Sequence, residues 1–369
     1  MREIASADLF VVSQELKSLK GLHINNFYDL GAGSFRIDFE HNRSVYIKLV
    51  QTVNETKLKE HAGAATPFAI AVRKRIIGMV LKDVLQHGLD RTLVMELEGN
   101  DKLSLILEMF AKGNLIVVGS DQKIKLVYAK RKFKNRALAV NVSYSFAPSE
   151  SIGFEQFNKE GIEKVFDSVA TGSEDAKLIQ ALSKLINLGP LYLDNAVRLA
   201  GLDPNAPAST IKSNEAELSQ QLLKVKDFML SPSPVAYLLD GKVVDYAIMP
   251  ISKYAEKGYA ASKFSTLSEL LDFVYADTRA SNAQHAETGK ELEELDKSIE
   301  KQKELADSYA KKALLYKSIA SKIFEHMQGL NAAIEKAKDR NADVKELSSI
   351  AGVKVISIDR KNKTMRVVF

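Results

Sequence analysis

Apolar and polar positions change period several times along the chain, and those changes divide it into elements. Leu9, Val12, Leu16 and Leu19 recur near helical spacing, which predicts an opening helix over 8–19 with Ser6 as its N-cap. Alternation then predicts strands over 28–30, 35–39 and 45–49, separated by Gly or Asn turns. Helical period returns over 67–85, with Arg73, Lys74, Arg75 and Lys82 on its polar side. Strands follow at 92–98, 104–109, 115–120 and 124–129, joined by short turns such as Lys112-Gly113-Asn114. Together these make a β-rich domain with two helices that ends near Pro148. Residues 154–230 read as short helices, and Asp240-Gly241 between two apolar runs signals a hairpin over 236–248.

The last third differs in kind. All eight prolines precede residue 251, and from 278 onward apolar positions repeat at alternating spacings of three and four. This seam runs from Leu292 and Leu295 through Tyr309 and Tyr316 to Leu330 and Ala337, the period of a coiled-coil helix. A helix over 278–340 would extend about 95 Å at the usual rise per residue. So long a seam needs a partner, either an antiparallel helix further along the natural chain or a second copy in a dimer. Residues 353–358 and 364–369 then read as a hairpin. The expected architecture is α+β and multidomain: a β-rich domain over 1–150, a helical domain with a β-hairpin over 151–275, and over 276–369 the first half of a coiled coil and the start of a further domain.

Composition narrows the chemistry. The 369 residues contain no Cys, which excludes disulfides, Cys-ligated zinc, iron–sulfur clusters and thiol nucleophiles, and fits a reducing compartment. No apolar run approaches the roughly 20 residues of a membrane span. The first eight residues include the acids Glu3 and Asp8, where a signal peptide needs an apolar core, so a cytoplasmic protein without membrane contact is expected. The six histidines, His23, His41, His61, His87, His285 and His326, lack metal-ligand spacing. Walker, GxGxxG and GxSxG motifs are missing as well, so no metal, no cofactor and no enzymatic activity is expected.

Charge is uneven. Residues 1–150 hold 22 Lys/Arg against 16 Asp/Glu, whereas 151–275 hold 12 against 16. The densest basic stretch is Lys123, Lys125, Lys130, Arg131, Lys132, Lys134 and Arg136, with no acid between. Such a patch attracts phosphate backbones because neutralising them releases counterions; the other reading is a solvated strand face. Asp90-Arg91 alone reads as a structural ion pair. The Gly189-Pro190 turn between short helices reads either as a helix–hairpin–helix, whose N–H groups can meet a phosphate, or as a plain packing turn.

Several segments together, in their order and spacing, carry a resemblance. They are Ser6-Ala7-Asp8-Leu9, Val72-Arg73-Lys74-Arg75, Gln86-His87-Gly88-Leu89-Asp90-Arg91 and Lys112-Gly113-Asn114-Leu115-Ile116-Val117. Leu188-Gly189-Pro190-Leu191-Tyr192 with Ala200-Gly201-Leu202, and Val355-Ile356-Ser357-Ile358-Asp359, complete the set. The arrangement resembles the NFACT family of ribosome-associated quality-control factors, which includes nuclear export mediator factor and bacterial proteins once labelled fibronectin-binding protein A. Val140-Asn141-Val142-Ser143-Tyr144 departs from it, since the family often has Pro-Gly before the tyrosine.

The resemblance implies a β-sandwich-like N-terminal domain similar to that of formamidopyrimidine-DNA glycosylases, a helix–hairpin–helix domain, and a coiled-coil arm with a small β tip. It further implies a factor that binds the large ribosomal subunit with stalled peptidyl-tRNA and recruits alanyl-tRNA for mRNA-independent C-terminal tailing. Asp8, Arg73, Lys74, Asp90 and Arg91 would contact tRNA. Arg75, Lys130, Arg131, Lys132, Lys134 and Arg136 would hold phosphates of tRNA or rRNA. The family's C-terminal RNA-binding domain has no counterpart in these residues. Two other functions fit these residues less well. A repair glycosylase of that fold uses a terminal proline amine and commonly a Cys-rich zinc finger, but position 2 is Arg2 and Cys is absent. A surface adhesin binding fibronectin needs an export signal.

Overall fold

In the computed structural model, residues 2–60, 62–171, 176–339 and 341–369 are described, without the side chains of 277–297. His61, His285, Leu292 and Leu295, named above, lie outside the described residues. Ser6 sits inside the first helix rather than at its cap. The N-cap of α1 (Ser6–Leu16) is Ala5, whose N–H donates to the Asp8 carboxylate at 2.9 Å, so the acid at the third helical position does the capping expected of Ser6.

Two antiparallel meanders follow. The first sheet runs β1 (Ile24–Gly31), β2 (Ser34–Phe39), β3 (Ser44–Lys48) and β4 (Thr52–Thr56) in chain order. Thr66 then caps α2 (Pro67–Ile76) by accepting from the Ala69 N–H. The single helix expected over 67–85 stops there. Gly78 takes φ +79°, and β5 (Val80–Gln86) opens a second sheet completed by β6 (Thr92–Glu98), β7 (Lys102–Glu108), β8 (Asn114–Gly119) and β9 (Ile124–Val127). A register shift between Leu81 and Asp83 puts buried Leu81 and Val84, three residues apart, on one side, which imitates helical spacing.

Both sheets turn one face to a common core, with Phe27, Phe35 and Val45 from the first, Leu93, Met95 and Leu105 from the second, and Leu9 and Val12 from α1. Strand β8 is buried on both faces, as its unbroken apolar run requires. Its Ile116 and Val118 form a second, small core with Ile124, Leu138 and Tyr144, covered by the hairpin β10 (Arg131–Lys132) and β11 (Ala137–Leu138).

The common core continues into α3 (Lys159–Ala170), α4 (Leu178–Leu185), α5 (Pro190–Leu199) and α6 (Glu215–Leu230), through residues such as Phe166, Tyr192 and Leu222. Next come β12 (Val235–Leu239) and β13 (Lys242–Ala247), turned by Asp240 and Gly241, both at positive φ. After α7 (Ser252–Glu256), β14 (Ala260–Lys263) pairs with β12 to complete a three-stranded sheet. The packing therefore runs unbroken from 150 to 151, and residues 1–284 and 285–369 form two compact units.

Helix α8 (Leu267–Glu325) begins earlier than its heptads suggested. Glu15 of α1 caps it, accepting from the backbone N–H of Leu267 at 2.7 Å and of Ser268 at 2.9 Å. It ends at His326, where φ −105° and ψ 13° break the helix before α9 (Met327–Lys336). Leu330 of the seam belongs to the second unit's own core, with Ala333, Leu347 and Val355, rather than to a coiled coil. That core joins α9 to α10 (Val344–Ala351) and to the hairpin β15 (Lys354–Asp359) and β16 (Thr364–Val368). Tyr309 and Tyr316 are 61% and 65% exposed, so nothing among the described residues covers the middle of the seam. No helix among the described residues is long and apolar enough to cross a membrane.

Candidate nucleic-acid interface

The turn between β5 and β6 carries Asp90 and Arg91, and the start of the chain anchors it. The Gln86 side-chain amide donates to the Ser6 carbonyl at 2.9 Å and to the Asp90 carbonyl at 2.8 Å, which ties the turn to α1. Arg91 pairs with the Glu3 carboxylate. Asp90 Oδ1 accepts from Ser149 Oγ at 2.9 Å and from Asn187 Nδ2 at 3.3 Å, so three chain segments converge on it. Both residues keep part of their surface in solvent.

Asp8 lies beneath them with 0% exposure. Its oxygens accept from the Ala5 N–H, from Arg2 Nη1 at 2.6 Å and from the Tyr192 hydroxyl. A direct contact from Asp8 to a ligand, expected above, would first have to break these bonds, because the acid is spent inside the protein. Arg2 is the residue that sequence reasoning passed over. Its Nε donates to Asp245 at 3.0 Å, its Nη2 to the Tyr246 carbonyl at 3.0 Å, and its guanidinium lies 4.1 Å from the Tyr246 ring centroid. Burial would lower the Arg2 pKa, but the charge of Asp8, backed by Tyr246 and Tyr192, carries it well above its ordinary value and keeps the group charged. One periodicity-free cation near the chain start gives no local signal of partners this distant.

Close packing accounts for the Leu188-Gly189-Pro190 motif. Gly189 holds φ +102°, and a Cβ there would stand 2.5 Å from that of Ala5, while the Ala7 N–H donates to the Leu188 carbonyl. The turn between α4 and α5 thus spends its close approach on α1.

Arg73 of α2 is half-buried, donating from Nε to the Phe27 carbonyl at 2.6 Å with its guanidinium 5.1 Å from the Tyr28 ring centroid. Lys74 and Arg75 are exposed. On the β10–β11 hairpin and its approach, Lys130, Lys132 and Lys134 are exposed, and no ion-pair partner faces them among the described residues. Arg131 is half-buried, and Phe133 between the lysines is 39% exposed.

Arg136 departs from its expected role. Its side chain is only 7% exposed, with Nη1 at 2.7 Å from Glu108 and 3.0 Å from the Ser145 carbonyl, so it is an internal brace rather than a phosphate contact. Tyr144 donates to the same Glu108 carboxylate at 3.1 Å. Among the described residues no group of three His, Asp or Glu side chains could hold a metal ion.

The family model for NFACT N-terminal and middle domains matches residues 7–352. Ribosome quality control complex subunit 2 of Schizosaccharomyces pombe is 22% identical over 316 residues, covering 73% of this chain but only 29% of that relative. The chain thus spans less than a third of the length of that curated relative. Among solved structures, the N-terminal part of the fibronectin/fibrinogen-binding protein from Streptococcus suis aligns with a TM-score of 0.57 at 20% identity, covering 74% of this chain and 99% of that one. The fibrinogen binding protein from Staphylococcus aureus aligns with a TM-score of 0.59 at 17% identity, covering 73% and 98%. These two likenesses are of fold. The family match extends over nearly the whole length, and the chain belongs to the NFACT family.

Proposed function

We propose that this chain is the RNA-holding part of a ribosome quality-control factor, which positions tRNA on a stalled large subunit so that the nascent chain gains a C-terminal tail without mRNA. The observation that carries the reading is the trio Lys130, Lys132 and Lys134, exposed around Phe133 without acidic partners. Unneutralised ammonium groups beside an exposed ring suit an RNA strand, whose phosphates need cations and whose bases need flat apolar surface. The name of the Schizosaccharomyces pombe relative supports the ribosomal setting.

In this reading Lys74, Arg75 and the hairpin lysines hold phosphates. Asp90 and Arg91 give direction, because a carboxylate and a guanidinium form charge-assisted hydrogen bonds to base or sugar edges. Asp8 and Arg136 act indirectly, by holding the β5–β6 turn and the hairpin in place. Peptide transfer would belong to the ribosome, so the protein positions and does not itself catalyse. The uncovered seam of α8 would take an antiparallel partner helix and reach the subunit. The setting is cytoplasmic.

The test is RNA binding against salt concentration for the parent and for the combined Lys130→Glu, Lys132→Glu and Lys134→Glu variant. Each lost phosphate contact removes about 0.7 from the log–log slope on single strands, so the slope should fall by roughly two with the melting temperature unchanged. A parent slope near zero would mean the hairpin is merely solvated. Binding to immobilised fibrinogen with no RNA binding would favour an adhesin instead.

A further inference from the structure

Two exposed rings stand against each other beside Asp90 and Arg91. The imidazole of His87, in the β5–β6 turn, has its centroid 3.6 Å from that of Phe146, with the planes 2° apart. Phe146 is 36% exposed, and His87 is exposed as well. Both are fixed from behind. The His87 N–H donates to the Thr92 carbonyl at 2.9 Å, and its own carbonyl accepts from the Asp90 N–H at 3.0 Å, which closes the turn. Phe146 meets the Tyr144 ring at 84° with centroids 5.1 Å apart, and Glu108 holds the Tyr144 hydroxyl.

Arg136 links this pair to the basic hairpin. It donates to the carbonyl of Ser145, the residue before Phe146, and its guanidinium lies 4.9 Å from the exposed Phe133 ring. The buried Arg136 thus braces both the Phe133 ring of the lysine-bearing hairpin and the backbone that carries the Phe146–His87 stack. Among the described residues Phe146 is the one ring stacked on His87, and His87 remains exposed beside it.

The geometry points to a stacking site for an unpaired RNA base on the outer face of His87, with the hairpin lysines on the phosphates of the same strand. An unpaired base offers a π face that matches a preset ring, and its backbone supplies the charge the lysines lack. An apolar peptide would leave those lysines unanswered, and a duplex would keep its bases inside the stack. The inference rests on the RNA-binding reading above and adds the contact that distinguishes base from backbone.

The chain has no Trp, so His87→Trp creates a single indole reporter at the site. Parent, His87→Ala and His87→Trp proteins are titrated with a short unstructured RNA and with an abasic strand of equal length and charge. His87→Ala should bind the RNA about five- to one-hundred-fold more weakly, bind the abasic strand as the parent does, and melt at the parent temperature. His87→Trp should restore affinity, its emission quenched by the RNA and not by the abasic strand. Equal RNA affinity for parent and His87→Ala, with the parent salt slope intact, overturns the stacking site and leaves the phosphate contacts standing. An equal loss on both strands also overturns it, because His87 would then merely hold the turn. A parent that binds neither strand overturns this site and the RNA reading together.

Discussion

Tyr192 is 0% exposed and bonded three times: its hydroxyl donates to Asp8 and accepts from the Ile248 N–H at 3.0 Å and from Arg2 Nη2 at 3.4 Å. Burial, reinforced by the charge of Asp8, pushes that hydroxyl well above its ordinary value of 10.0, and burial raises Tyr246, Tyr254 and Tyr275 as well. The folded state thus keeps protons that the unfolded chain releases above pH 10. These tyrosines contribute in full below that pH, and the contribution is lost as pH rises, each group by up to about 1.4 kcal/mol per pH unit. Tyr192→Phe should cost roughly 2 kcal/mol near neutral pH, by stranding an Asp8 oxygen and the Ile248 N–H. It should also lose stability less steeply than the parent on the alkaline side. Urea midpoints measured across that range decide the matter; parallel declines would show that Tyr192 has no part in it. Legibility at this scale followed distance along the chain. Lys130, Lys132 and Lys134 read correctly as exposed, because no acid near them in sequence could pair with them. Asp8 and Arg136 did not, because their partners Tyr192 and Glu108 lie 184 and 28 residues away.

Elements were legible where one period held throughout. The apolar run of β8 announced a strand, and the Asp240-Gly241 turn fixed its hairpin. The register shift within β5 defeated the same reasoning, and α8 began where a carboxylate from another helix meets its first N–H groups. Glu15 accepts there from two backbone N–H groups and from the Ser268 hydroxyl at 2.6 Å. Removing it leaves those donors without their acceptor and takes negative charge from the positive end of the helix dipole. Glu15→Ala should lower stability by about 1–3 kcal/mol, and Glu15→Gln by less, since its amide oxygen still accepts. Thermal melts of the two variants check the order; a Glu15→Ala protein as stable as the parent would show the cap to be idle.

At the scale of the molecule, residues 1–284 and 285–369 are separate compact units, each with its own core. The Streptococcus suis structure covers 74% of this chain and 99% of its own, so a fold of this kind exists without the remainder. Truncation after Gln284 should therefore leave a cooperatively melting protein with parental affinity for short RNA. Under the proposed function it should no longer co-sediment with large ribosomal subunits; retained co-sedimentation would remove the second unit from that role. The bond between Arg2 and Asp245 joins residues 243 positions apart. At a synthesis rate of about 5–20 residues per second, Arg2 and Asp8 emerge on the order of 10–50 s before Asp245 exists to meet the first of them. The local meanders can form during that wait, whereas the buried charges at the chain start cannot. A newly made copy thus settles the ground beneath its Asp90–Arg91 turn only late in its own translation, after the strands of both meanders have left the ribosome that makes it.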